Sequence, residues 1–115
     1  MTSKINIGTD VVEIQRFRRK PLGKNRSFYD SLFTRSELSY CIKYADPYTH
    51  FAGIFAAKEA VIKCLDESVR MTDIEIFWNN RGKPKVAIRD HKKNNTSVSI
   101  SHTRSIALAV VVILL

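Results

Sequence analysis

Apolar and β-branched positions alternate along residues 5–14. The alternation predicts a strand with Ile5, Ile7, Thr9 and Val11 on one face and Gly8, Asp10 and Val12 on the other. Near Asp10 the strand should give way to a turn or short helix. Over residues 16–24 the pattern changes: Arg16, Arg18, Arg19, Lys20 and Lys24 crowd together, and Pro21 and Gly23 break any long helix. A solvated loop or short helices fit that stretch. An apolar, aromatic run at 28–33 leads into Thr34, and Glu37 three residues later completes a capping-box signature. A helix over about 35–43 should follow, with Leu38 and Ile42 on one face and Asp46-Pro47 as its stop.

The clearest helical period lies at 50–67. Phe51, Ile54, Phe55, Ile62 and Leu65 recur at helical spacings among Ala56, Ala57 and Ala60, with Lys58, Glu59, Lys63 and Asp66 on the flank of the stripe. The remainder reads as β. Residues 74–78 and 85–88 alternate around the turn Asn79-Asn80-Arg81-Gly82-Lys83-Pro84, which predicts a hairpin. After a polar loop at 92–96, residues 98–102 alternate into a turn at 103–105, and 106–115 returns as the most buried strand. A strand, a helical middle and two hairpins make an α+β class: one small domain, a mostly antiparallel sheet packed with helices.

Composition narrows this picture. A chain of 115 residues is one domain by default and can bury a core without staples. Apolar residues at 44% and charged residues at 26% argue against disorder. Residues 1–9 carry no signal-peptide pattern, and the longest apolar run, 106–115, is half the ~20 residues a spanning helix needs. Cys41 and Cys64 lack zinc spacing and read as reduced thiols of a cytoplasmic protein. The unusual number is the net charge of +8, which attracts nucleic acid, anionic membrane, a phosphorylated small molecule or an acidic protein alike.

Carboxylates near apolar walls need a cation or hydrogen bonds, so Asp10 and Glu59 stand out. A cation shared between them would be hard and oxygen-loving, Mg²⁺ before Zn²⁺. Spacing alone favours the plainer alternative, in which Asp10 caps a turn and Glu59 pairs with Lys63 on an exposed helix face. His102, flanked by hydroxyls in Ser99-Ile100-Ser101-His102-Thr103, could accept a proton or donate to phosphate, although a polar hairpin turn explains the same pattern. His50 and His91 read as surface residues. The four glycines, at 8, 23, 53 and 82, assemble neither a P-loop nor a dinucleotide fingerprint. No RNP-like string or zinc-finger spacing supports nucleic acid.

Four segments, in order, resemble the holo-acyl-carrier-protein synthase family, the small 4′-phosphopantetheinyl transferases. They are Ile7-Gly8-Thr9-Asp10-Val11-Val12-Glu13-Ile14, Phe33-Thr34-Arg35-Ser36-Glu37, Phe55-Ala56-Ala57-Lys58-Glu59-Ala60 with Lys63, and Val98-Ser99-Ile100-Ser101-His102-Thr103. Gly82-Lys83-Pro84 also fits the family's G-K-P turn. The resemblance implies transfer of the 4′-phosphopantetheine arm of coenzyme A to a serine of apo-acyl carrier protein, with 3′,5′-ADP released. It makes Asp10 and Glu59 Mg²⁺ ligands and places Lys63 near the phosphates. Lys58, Arg81, Gly82, Lys83, Pro84, Ser101 and Thr103 become candidate coenzyme A contacts. Either His102 or a water on the metal beside Glu59 would take the serine proton. Arg16 aligns with an arginine that meets the carrier protein. The resemblance implies a homotrimer with sites between subunits, and neither nucleic acid nor a membrane as partner; a basic nucleic-acid or membrane-surface module stays open on charge alone. The chain departs from the pattern at Ile54, where the family carries an arginine for a coenzyme A phosphate. That departure predicts weaker coenzyme A binding unless Lys58, Lys83 or Arg81 substitutes. It also keeps open an alternative, a homologue that binds carrier protein or coenzyme A without efficient transfer.

Overall fold

The computed structural model describes residues 4–90 and 95–114. Strand β1 (Ile5–Glu13) is followed by helices α1 (Gln15–Arg18), α2 (Arg26–Leu32), α3 (Arg35–Cys41) and the long α4 (Pro47–Cys64). Then come β2 (Ile74–Trp78), β3 (Pro84–Ile88), β4 (Asn95–His102) and β5 (Ile106–Leu114). Both expected hairpins form, and the class is α+β. The hairpins do not share one sheet: β2 and β3 form a two-stranded sheet, while β1, β5 and β4 form a second in that order. Every pair is antiparallel. The first strand thus returns to the last, with Gly8 opposite Val111 and Asp10 opposite Ala109. His91 and most of the loop expected at 92–96 lie outside the described residues, and Asn95 and Thr96 already belong to β4.

The two faces of β1 divide as the alternation predicts. Gly8 and Val12 are buried, while Ile5, Ile7 and Val11 face outward and are 66%, 69% and 57% exposed. The same split corrects the expectation for β5. Ala107, Ala109, Val111 and Ile113 are buried, whereas Leu108 and Leu114 lie on an open face beside β1's isoleucines. β5 is central in its sheet, but only one side of it is covered.

α4 also departs from the amphipathic reading. It is buried nearly all round, from Phe51 through Lys58, because it crosses the three-stranded sheet on one side and meets α1, α3 and β2 on the other. Asp46-Pro47 starts this helix instead of ending the previous one. Asp46 Oδ1 accepts the Tyr48 amide at 3.2 Å and Pro47 occupies the first turn, where its missing N–H costs nothing. α4 ends at Cys64, short of the expected 67. Its crossing is close at both ends. A Cβ on Gly8 would stand 2.0 Å from the Ala60 carbonyl oxygen, and one on Gly53 would stand 3.1 Å from Ile100 Cγ2. α4 therefore runs from β4 at its N-terminal half to β1 at its C-terminal half. The run at 28–33 forms α2, whose Tyr29 packs with Phe17, Phe33 and Phe51 at ring-centroid distances of 4.8 to 6.2 Å. This aromatic knot pins α1 and α2 to α4.

Candidate functional site

The inner face of β1 and the last turns of α4 bring three charged groups together. Lys63 Nζ donates to the Thr9 carbonyl at 2.8 Å and lies 3.3 Å from Asp10 Oδ1. Glu59 sits one helical turn before Lys63 on the same flank of α4. Lys63 is thus engaged by Asp10 across the sheet, and no Glu59–Lys63 ion pair forms among the described residues. Glu59 makes no ion pair of its own there, and the second oxygen of Asp10 has none either. Two carboxylates with free oxygens suit Mg²⁺, which completes its shell with water and phosphate. No cluster of three or more His, Cys, Asp or Glu exists among the described residues, so a cage built wholly of such side chains is absent there.

His102 belongs to a different place. It ends β4, two strands away from Asp10, at the other end of α4's crossing. With Thr103 it lines a cleft of about 660 Å³, together with Arg18, Asp46, Thr49 and Arg104. Its Nδ1 lies 3.3 Å from the Thr103 carbonyl. If Nδ1–H donates there, Nε2 keeps its lone pair. Arg18 is held by Asp46 at 2.7 Å, and this bond holds the Asp46 carboxyl below its ordinary range. A second groove of about 430 Å³ runs between β3 and β4, lined by Lys83, Pro84, Lys85 and residues 96–100. Arg81, Gly82 and Lys83 are exposed on the turn that opens it, and the positive φ of 74° at Gly82 is what makes glycine suit that turn. Arg18, Thr49, Lys85 and Arg104 were not singled out for this role by pattern. Their only sequence signal was proximity to a motif.

Three expectations need correction, at Lys58, Ser101 and His50. Lys58 is wholly buried, paired with Glu37 and bonded to the Leu32 carbonyl at 2.7 Å, so it cannot meet a phosphate. Ser101 pairs opposite Leu108 on the open sheet face, the reverse side of β4 from His102, and does not line its own protomer's cleft. Ile54 is 1% exposed and packs in the core, so it offers coenzyme A no polar contact. With Lys58 buried as well, only Arg81 and Lys83 remain of the candidate substitutes for the family's arginine. His50 is not a plain surface residue: it is half-buried and stacked on Tyr44 at 3.7 Å and 22°. Burial, then the nearby His102 charge, lowers its pKa, while Asp46 pulls the other way.

Arg16 is exposed on α1 with its guanidinium 4.9 Å from the Phe55 ring centroid, and Lys20 lies over Phe28. These stems rest on aromatic faces with their charges outward. Cys41 and Cys64 are buried and unpaired. Among the described residues no helix is long and apolar enough to cross a membrane.

Comparison with known proteins agrees with these features. The family model described as the 4′-phosphopantetheinyl transferase superfamily matches residues 6–111. A holo-[acyl-carrier-protein] synthase of Chlamydia caviae is 40% identical, over 96% of this chain and 97% of its own. The corresponding protein of Caldanaerobacter subterraneus subsp. tengcongensis is 36% identical, over 95% and 94%. Among solved structures, a holo-(acyl-carrier-protein) synthase of Bacillus anthracis in complex with CoA (3′,5′-ADP) superposes with a TM-score of 0.84 at 28% identity, covering 98% of both chains. The Helicobacter pylori enzyme in complex with coenzyme A gives 0.81 at 30%, covering 93% of this chain and 98% of that one. With matching motifs, fold and near-complete coverage, the chain belongs to the 4′-phosphopantetheinyl transferase superfamily.

Proposed function

We propose that this protein transfers the 4′-phosphopantetheine group of coenzyme A to a serine of apo-acyl carrier protein and releases 3′,5′-ADP. The observation that carries the reading is the Asp10–Lys63 contact between β1 and α4, with Glu59 one helical turn before Lys63 on the same flank. Asp10 and Glu59 would hold Mg²⁺, which when bound offsets charge on the pyrophosphate as its bond breaks. Lys63, fixed by the Thr9 carbonyl, supplies a point charge beside the phosphates. The groove between β3 and β4 would present Lys83 and Lys85 to the nucleotide end of coenzyme A, with Arg81 exposed on the turn beside Lys83, and the cleft around His102 offers Arg104 and Thr103. His102 takes the serine proton through Nε2, the nitrogen that its Thr103 contact leaves free.

A single protomer holds these parts at opposite ends of α4. Glu59 lies nine positions beyond His50, which feels the nearby His102 charge, about 13.5 Å along the helix. The uncovered apolar sheet face supports a homotrimer that joins the acidic edge of one copy to the histidine cleft of the next. The basic flank around Arg16 would steer an acidic carrier protein. Buried, unpaired cysteines fit a reducing cytoplasm.

The test is apo-acyl carrier protein incubated with coenzyme A and Mg²⁺, read by intact mass. Addition of one phosphopantetheine arm is expected. Asp10→Ala and Glu59→Ala should each lower kcat at least on the order of 100-fold, the equivalent of about 3 kcal/mol of barrier. Full activity in either variant would overturn the assignment.

A further inference from the structure

α3 is fastened to its neighbours by one carboxylate. Glu37 is 1% exposed. Its Oε1 accepts the Thr34 amide at 2.8 Å and the Lys58 ammonium, while Oε2 accepts the Ile76 amide of β2 at 2.7 Å. Lys58 sends a further hydrogen bond to Leu32 at the end of α2. One buried pair therefore ties α2, α3, α4 and β2 together. Two further contacts run along the same seam. Thr34 and Ser36 hydroxyls donate to Glu75 of β2 at 2.7 and 2.6 Å, and the Tyr40 ring of α3 stacks on Trp78 at 4.0 Å and 9°. α3 is thus clamped to β2 at both of its ends, and through Lys58 to the middle of α4.

The places it joins matter. Lys58 directly precedes Glu59, and Trp78 directly precedes the turn that carries Arg81, Gly82 and Lys83. A buried ion pair is weak evidence for stability, since apolar residues of similar volume often serve as well or better. Apolar packing has no directional bonds, however. Glu37 fixes an amide, an ammonium and a strand edge at bonding distance, and so sets the spacing of the elements that carry them.

We infer that Glu37 and Lys58 are positioning residues for transfer: their pairing sets the distance between the Glu59–Lys63 edge of α4 and the Arg81–Lys83 turn. This rests on the transferase reading above. Neither side chain touches substrate, and both act through where they hold α4 and the β2–β3 hairpin.

The test compares wild type, Glu37→Gln and the apolar double variant Glu37→Leu/Lys58→Met by thermal unfolding, steady-state kinetics and calorimetric binding of coenzyme A. The double variant leaves the Thr34 and Ile76 amides and the Leu32 carbonyl without these partners, so it should unfold below the wild-type temperature. The folded protein should lose on the order of 10- to 100-fold in kcat, the scale of a misplacement near 1 Å. Glu37→Gln, which keeps the volume but has one acceptor oxygen fewer, should raise KM for coenzyme A and lower kcat while remaining folded. If either folded variant keeps wild-type kcat and KM, the pair is merely structural and the inference fails. Should the double variant not fold, Glu37→Gln decides alone. Wild-type transfer in the same assay tests the parent reading separately. If wild type is inactive, coenzyme A affinity decides: weakened binding in Glu37→Gln supports the positioning role and unchanged binding overturns it.

Discussion

Single residues showed where a local rule can and cannot be trusted. Thr34 and Glu37 were legible as a capping box, and the structure has both of its reciprocal bonds. A box needs only local backbone, so sequence spacing suffices to see it. That Glu37 also receives Lys58 and Ile76 was not legible, because those partners come from 21 and 39 residues away. His50 failed for a similar reason: Tyr44 and His102 reach it only through the fold. Its depressed pKa has a testable sign. The unfolded imidazole protonates near 6.5 and the folded one at lower pH, so stability is complete above that value and declines as pH falls below it. Thermal unfolding at pH 7.5 and 5.5 should show a drop, and His50→Gln should make the drop smaller. An unchanged drop would assign it to other groups.

At the level of elements, the close crossing of α4 over β1 dominates. β1 and α4 meet at Gly8 and Ala60 with no room for a side chain, and the neighbouring Asp10 and Lys63 meet because of that approach. Gly8→Ala forces a Cβ against a backbone carbonyl that has no rotamer to escape with. It should cost about 3 kcal/mol or more, read by urea unfolding, at the upper end of overpacking effects. A variant within 0.5 kcal/mol (~0.5, the scale of an ordinary surface change) would show that the strand and helix separate freely. The packing that puts Asp10 beside α4 also hides Lys58. α4 is buried from Phe51 through Lys58, and there Lys58 turns inward onto the buried Glu37, while Glu59 and Lys63 keep the one flank that reaches solvent.

For the molecule as a whole, charge and uncovered apolar surface remain to be explained. Ile5, Ile7 and Val11 on β1, with Leu108 and Leu114 on β5, form an apolar face that a lone protomer leaves in water. If copies cover it as proposed, with each site completed by a neighbour, Ile7→Asp should give isolated protomers by sedimentation velocity and lose most transfer activity. A variant that sediments like wild type would count against that assembly. The net charge of +8 has a kinetic counterpart. Arg16→Glu should raise KM for carrier protein several-fold at low salt, with the difference shrinking as ionic strength shortens the Debye length to roughly 8 Å near physiological salt. A defect that does not change with salt would indicate lost packing on Phe55 instead of lost steering.

What the sequence determined by itself was local and periodic: the alternating strands, the capping box, the two hairpins, and the segments bearing Asp10, Glu59, Lys63, His102 and the Arg81–Pro84 turn. Those signals depend on neighbours a few residues apart, where backbone geometry dictates which side chains share a face. Tertiary structure decided the rest. It paired the first strand with the last, split the strands into two sheets, started α4 at Asp46-Pro47, and placed Asp10 on Lys63 and Lys58 on Glu37. It also sent Ser101 to the face opposite His102 and left the acidic edge and the histidine cleft at opposite ends of one helix. Each of these outcomes joins residues distant in the chain, through burial and directional bonds that no local pattern encodes.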